Sequence, residues 1–206
     1  MEGKIIGKEL KNHAPFTIFG AITGIIIMFI FYQIPYKSAY RIFYIFHPLH
    51  VLLSAFVTSS MYSIHTKEKW WKVIIIGYIG SIGIATLSDS IIPFLGEFLL
   101  KFPNKEIHIG FIEEWWLVNL IAFLGIGLSF IKATTKLPHS AHVLVSTWAS
   151  LFHIIMALGG QITILKTSAI FVFLFFAVWF PCCFSDIMFP LLFVRKEQKK
   201  GSVKNR

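Results

Sequence analysis

The sequence is poor in charge and in cysteine. Charged residues make up 14% of its 206 positions and hydrophobic ones 56%, whereas an average globular domain is about a quarter charged. Twenty-two Phe and six Trp add apolar surface that one core of this size cannot hide from water. Mean hydropathy is +0.72. This shortage of charge excludes a soluble enzyme and a disordered tail, and predicts an all-α polytopic membrane protein. The two cysteines, Cys182 and Cys183, are adjacent in an apolar run. Neighbouring cysteines do not readily adopt disulfide geometry, so a secreted disulfide scaffold is excluded as well. His-Glu-x-x-His, a Gly-rich phosphate loop, Gly-x-Ser-x-Gly and Cys-x-x-Cys are all missing, which argues against an ATP-driven pump or a kinase. A cleaved signal peptide is not expected, because the first apolar segment is long enough to stay in the membrane.

Six segments are long and apolar enough to span a bilayer, which takes about 17–25 residues. They run over Ala14–Tyr32, Ile42–Ile64, Val73–Gly96, Trp115–Ile131, Leu137–Leu165 and Thr167–Val194. The last two exceed a span, and bends are expected at Gly159–Gly160 and at Pro181 and Pro190. The net charge of +9 does not point to nucleic acid, because its basic residues lie in short loops and a basic tail. With the N-terminus inside, fourteen Lys and Arg fall on the inner side and five on the outer. Both termini are therefore expected in the cytoplasm of a plasma or inner membrane, with the lipid bilayer as partner. A chain of this size can form a homodimer, although no sequence feature requires one.

The polar residues in these segments repeat. His47-Pro-Leu-His50-Val-Leu-Leu-Ser54 matches His139-Ser-Ala-His142-Val-Leu-Val-Ser146 at five of eight positions, at an offset of 92. Ser88-Asp89-x-x-x-Pro93 matches Ser185-Asp186-x-x-x-Pro190 at an offset of 97, and His13-Ala-Pro-Phe16 matches His108-Ile-Gly-Phe111 at 95. Three matches in one order at nearly constant offset indicate a duplication, residues 1–100 and 101–206, the second copy carrying the basic tail. Each copy holds three spans, an odd number, so the second enters the membrane inverted. The expected architecture is six transmembrane helices as a 3+3 inverted-topology repeat, a recurring plan of secondary transporters.

Ionisable groups within a bilayer are costly and are functional candidates. His47 and His50 share one helical face, as do His139 and His142. Imidazole and carboxylate both ligate first-row divalent metals. Counting the helical rise from the segment ends puts His50 and Asp89 roughly 10–12 Å from the outer face, and His142 and Asp186 roughly 8–12 Å from the inner one. Two metal clusters follow, on separate levels. One comprises His47, His50 and Asp89 with His108 at the outer mouth; the other comprises His139, His142 and Asp186 with His13 at the inner mouth. His153 has no counterpart in the repeat and suits a core hydrogen bond better than a stepping point. Glu113 and Glu114 would raise the local cation concentration outside. The expected function is transport of a divalent transition metal (Zn, Mn or Fe). An intramembrane zinc-type hydrolase and a bis-His haem b electron carrier are the alternatives.

Overall fold

The computed structural model describes residues 2–65, 69–134, 136–159, 162–184 and 188–194, with backbone only for 2–10, 12, 13, 136–139 and 183. The described residues form helices and connections, with no strand among them. The helices are α1 (Glu2–Phe31), α2 (Tyr36–His65), α3 (Trp70–Thr86), α4 (Ile92–Leu99), α5 (Gly110–Glu113), α6 (Trp115–Ile131), α7 (Lys136–Leu158) and α8 (Ile164–Cys183). Apolar side chains leave the backbone to satisfy its own hydrogen bonds, and the helix does so within one segment. Among the described residues, five spans are long and apolar enough to cross a membrane: Ala14–Phe31, Tyr36–His65, Trp70–Leu99, Ser140–Leu158 and Ile164–Cys182. The remaining expected segment is α6, an apolar helix of 17 residues. At 1.5 Å per residue it is about 25 Å long.

The expected Leu137–Leu165 segment divides. α7 stops at Leu158, and Gly159 adopts φ 51°. A left-handed glycine is a helix stop, and a Cβ here would lie 2.4 Å from Pro103 Cγ. The loop before α5 seals this end through Asn104 N–H donating to the Ala157 carbonyl at 3.3 Å. α8 then starts at Ile164, with the Thr163 side chain accepting the Lys166 N–H as an N-cap.

α2 and α7 form the centre. Their spans are 56% and 83% buried, against 28% for α1 and α8, which expose Phe19, Ile26, Phe29, Ile164 and Phe180. The central pair packs together; α2 also packs on α3 and α6, α7 on α1 and α8, and the outer contacts are α1 with α8 and α3 with α6. Small residues permit the approach. A Cβ on Gly125 of α6 would sit 2.4 Å from the Leu52 carbonyl oxygen of α2, and one on Gly77 of α3 would sit 2.0 Å from Ser59 Oγ. Such small-residue seams are how apolar helices pack closely without a hydrophobic driving force.

Between α3 and α4 the helix widens into a π turn over Leu87–Ile91. Its cause is one residue. Pro93 has no N–H to give and clashes with a regular preceding turn, and the Ile92 N–H reaches back five residues to the Leu87 carbonyl. In that register the missing N–H of Pro93 would have served the Ser88 carbonyl. Ser150 Oγ of α7 donates to that carbonyl instead, at 2.9 Å. Asp89 rides on this turn with its side chain in the core. Phe184 and Met188, the residues 97 positions beyond Leu87 and Ile91, are also π-helical.

Candidate metal centre

His47 and His50, one turn apart on α2, aim the same ring atom at one carboxylate. Asp89 Oδ2 accepts from His47 Nδ1 at 3.0 Å and from His50 Nδ1 at 2.7 Å. Asp89 Oδ1 accepts from Ser88 Oγ at 2.7 Å and from Ser146 Oγ at 3.0 Å. His47, His50 and Asp89 are at most 1% exposed. Four donors fill the acceptor capacity of a carboxylate. With both Nδ1 atoms donating, each imidazole presents its Nε2 lone pair on the far side of the ring.

His50 Nε2 meets His142 Nε2 of α7 at 2.6 Å. His50 and His142 occupy matching positions of the two His-x-x-His motifs, and their contact departs from the expected separate levels. Depths counted from segment ends assume upright helices of the expected length; α2 begins at Tyr36, six residues before the expected Ile42. Cys182 of α8 joins them: His50, His142 and Cys182 offer ligand atoms all within 4.8 Å of one another, and each residue is buried. The thiol also donates to Ser146 Oγ at 3.7 Å. Two imidazole nitrogens on a tetrahedral zinc lie about 3.3 Å apart, from bonds of 2.0–2.1 Å. The rings would therefore part by less than about 1 Å to admit an ion, and a sulfur can complete a third position.

A second polar tier lies toward the α5 end. Phe43 stacks on His47 with ring centroids 5.2 Å apart and also touches His153 at 5.5 Å and His108 at 6.5 Å. His108 bonds elsewhere than to Asp89: Nε2 pairs with Tyr36 OH at 3.0 Å and Nδ1 with Glu113 at 3.2 Å. Tyr40 and Tyr44 donate to the same Glu113 at 3.0 and 2.6 Å. His153 forms a core hydrogen bond, as its sequence position suggested, with Nδ1 on Glu97 Oε1 at 2.7 Å. Gly110 of α5 lies against His47, where a Cβ would come within 2.5 Å of Nε2.

Of the eight expected ligands, His47, His50, Asp89 and His142 come together, while His108 stands in the second tier. Asp186 and the side chains of His139 and His13 lie outside the described residues. Glu97 and Ser146 are not among those eight, although an acid inside an apolar span is itself a signal and Ser146 belongs to the repeated motif. Comparison with family models, with curated proteins and with solved structures finds no match for this chain.

Proposed function

We propose that the chain is a small transporter for a divalent transition-metal ion, in a plasma or inner membrane with both termini cytoplasmic. The observation that carries this reading is the wholly buried Asp89 hub. It orients two histidines through Nδ1 and so turns His50 Nε2 toward His142 and Cys182. A carboxylate–histidine–metal relay of this form fixes the tautomer and strengthens the ligand. His50, His142 and Cys182 are the proposed ligands, and Asp89 is the positioning group. A thiolate beside two imidazoles suits zinc or iron better than manganese.

An inverted repeat, which the helix pairing supports, would favour transport over the alternatives. Exchanging α1, α2 and α3 with α6, α7 and α8 maps α2–α6 onto α7–α1, α2–α3 onto α7–α8 and α1–α8 onto α6–α3, and returns α2–α7 to itself. It also places the π turn at Leu87–Ile91 on the π-helical Phe184 and Met188. A site where paired residues meet then sits on the pseudo-twofold axis, between the two halves that would rock. A haem has less support, because ring centroids 4.5 Å apart leave no width for a macrocycle. A hydrolase needs water and substrate at the metal, whereas His50 and His142 are both 0% exposed.

The test is zinc and iron uptake into proteoliposomes, together with elemental analysis of the purified protein. Uptake above protein-free vesicles is expected, with metal bound near one equivalent per chain. Absence of both metal and flux in folded, monodisperse protein defeats the reading.

A further inference from the structure

Glu97 takes no part in the metal centre, yet with Asp89 it is one of two acids buried inside a span among the described residues. It lies on α4, is 0% exposed, and accepts His153 Nδ1 through Oε1 at 2.7 Å. Its other oxygen, Oε2, is buried without a hydrogen-bonding partner. Of the neighbouring elements, α7 presents His153, while α8 packs Phe173 against the adjacent Gly96. His153 Nε2 accepts the main-chain N–H of His108 at 3.3 Å, so Nδ1 carries the ring proton and the imidazole is neutral. The charge of the pair is thus set by Glu97 alone. An uncompensated carboxylate oxygen in such surroundings is expensive, and the smallest partner it can take is a proton.

The pair is also connected to the surface. His108 touches His153 edge to face, with ring centroids 5.5 Å apart. Beyond it stand Glu113, Tyr36 and Glu106, the last 65% exposed and 3.8 Å from His108 Nε2. Titratable groups therefore run from solvent to Glu97. The step from His108 to His153 is the one without a side-chain hydrogen bond, because His153 Nε2 accepts the His108 main-chain N–H; transfer across it requires that contact to open so that Nε2 can take a proton. Phe43 stands in contact with His47, His108 and His153, an apolar partition between this route and the Asp89 hub.

We infer that Glu97 and His153 form a proton-binding station, supplied from the mouth through His108, that couples metal movement to a proton gradient. The coupling rests on the transport reading above; the proton site does not. The balance is one proton accepted at His153 Nε2 as His153 Nδ1 gives its own to Glu97 Oε1, and one proton released from Glu97 to restore the starting state in each cycle.

The experiment uses the full chain in liposomes with trapped zinc- and pH-sensitive dyes. Wild type should show zinc flux that changes several-fold with an imposed gradient of one pH unit, and a matching internal pH change. Glu97→Gln keeps the shape and the acceptor for His153 but cannot take a proton. It should bind zinc as wild type does and pass it downhill, with no pH response. Wild-type gradient dependence in Glu97→Gln overturns the coupling. An infrared pH titration of wild type with isotope-labelled glutamate should show a buried carboxylic-acid carbonyl band. Absence of that band at every pH overturns the proton site, including where the variant fails to fold. Zinc flux missing in wild type overturns the transport reading, and the infrared result alone then decides the proton site.

Discussion

Asp89 holds both histidines of α2 through one side chain. It accepts four hydrogen bonds, two of them from histidine Nδ1 atoms. Asp89→Asn keeps the shape but replaces one acceptor oxygen by an NH2 group, so a donor faces a donor and at least one imidazole must turn or change tautomer. Loss of an outer-shell partner of this kind typically costs 10–100-fold in metal affinity, and that is the expected fall in zinc binding by calorimetry. Unchanged affinity would reduce Asp89 to a structural hub. Cys182→Ser tests the third ligand. Wild type should release a proton on binding, because the thiol must ionise to bind a metal. The serine variant should bind zinc more weakly and lose that release, read by calorimetry in buffers of different ionisation enthalpy. The nearness of His47, His50 and Asp89 was legible from three-residue spacing and the repeated Ser-Asp-x-x-x-Pro. Which nitrogen faces the carboxylate was not, because spacing places a ring and leaves its orientation open. The His50–His142 contact was hidden for another reason: the depth count starts at Ile42, whereas α2 begins at Tyr36.

Among the elements, the π turn shows how a local defect is put to use. Pro93 removes one donor, the ladder shifts, and Ser150 of α7 is drawn to the orphaned carbonyl. The turn that results carries Asp89 into the core. The proline was visible in the sequence, but its consequence depends on a partner helix distant in the chain. Segment existence was legible because apolar runs were long. The ends were less so: the run through Gly159 reads as one segment until the glycine adopts its left-handed conformation. The α2–α6 seam offers a direct test. At Gly125, a Cβ would meet the Leu52 carbonyl at 2.4 Å, and a backbone atom cannot step aside as a side-chain tip can. Gly125→Ala should therefore cost about 1–3 kcal/mol, the usual penalty of overpacking. Gly127→Ala, on the same helix with nothing within 4 Å, should be neutral or slightly stabilising, since alanine is the better helix former. Thermal unfolding in detergent, followed by tryptophan fluorescence, compares the two. Equal stability of both variants would mean that α2 and α6 are not seated as closely as described.

For the whole molecule, the inverted repeat proposed from the duplicated motifs would make its two halves functionally equivalent. If the chain exchanges two conformations by rocking one repeat against the other, the role of Asp89 in one is taken by Asp186 in the other. Asp186 lies outside the described residues, and its assignment comes from the repeated motif and the π-helical geometry of Phe184 and Met188. A carrier must pass through both conformations in every cycle, so weakening either hub should interrupt the cycle. Asp89→Asn and Asp186→Asn are each expected to lower zinc flux at least tenfold while leaving the protein monodisperse. The carboxylate supplies negative charge near a divalent cation in a setting where uncompensated charge is expensive, and asparagine supplies none. If the two aspartates only tie down the backbone beside Pro93 and Pro190, asparagine serves nearly as well, as it does at helix caps, and flux persists. The measurement is initial uptake into liposomes carrying each variant at matched protein density. Wild-type flux in both variants removes the transport role from both aspartates. Flux lost only in Asp89→Asn leaves a one-sided site and ends the equivalence of the halves, and loss in both is what an inverted repeat working as two faces of one pathway requires.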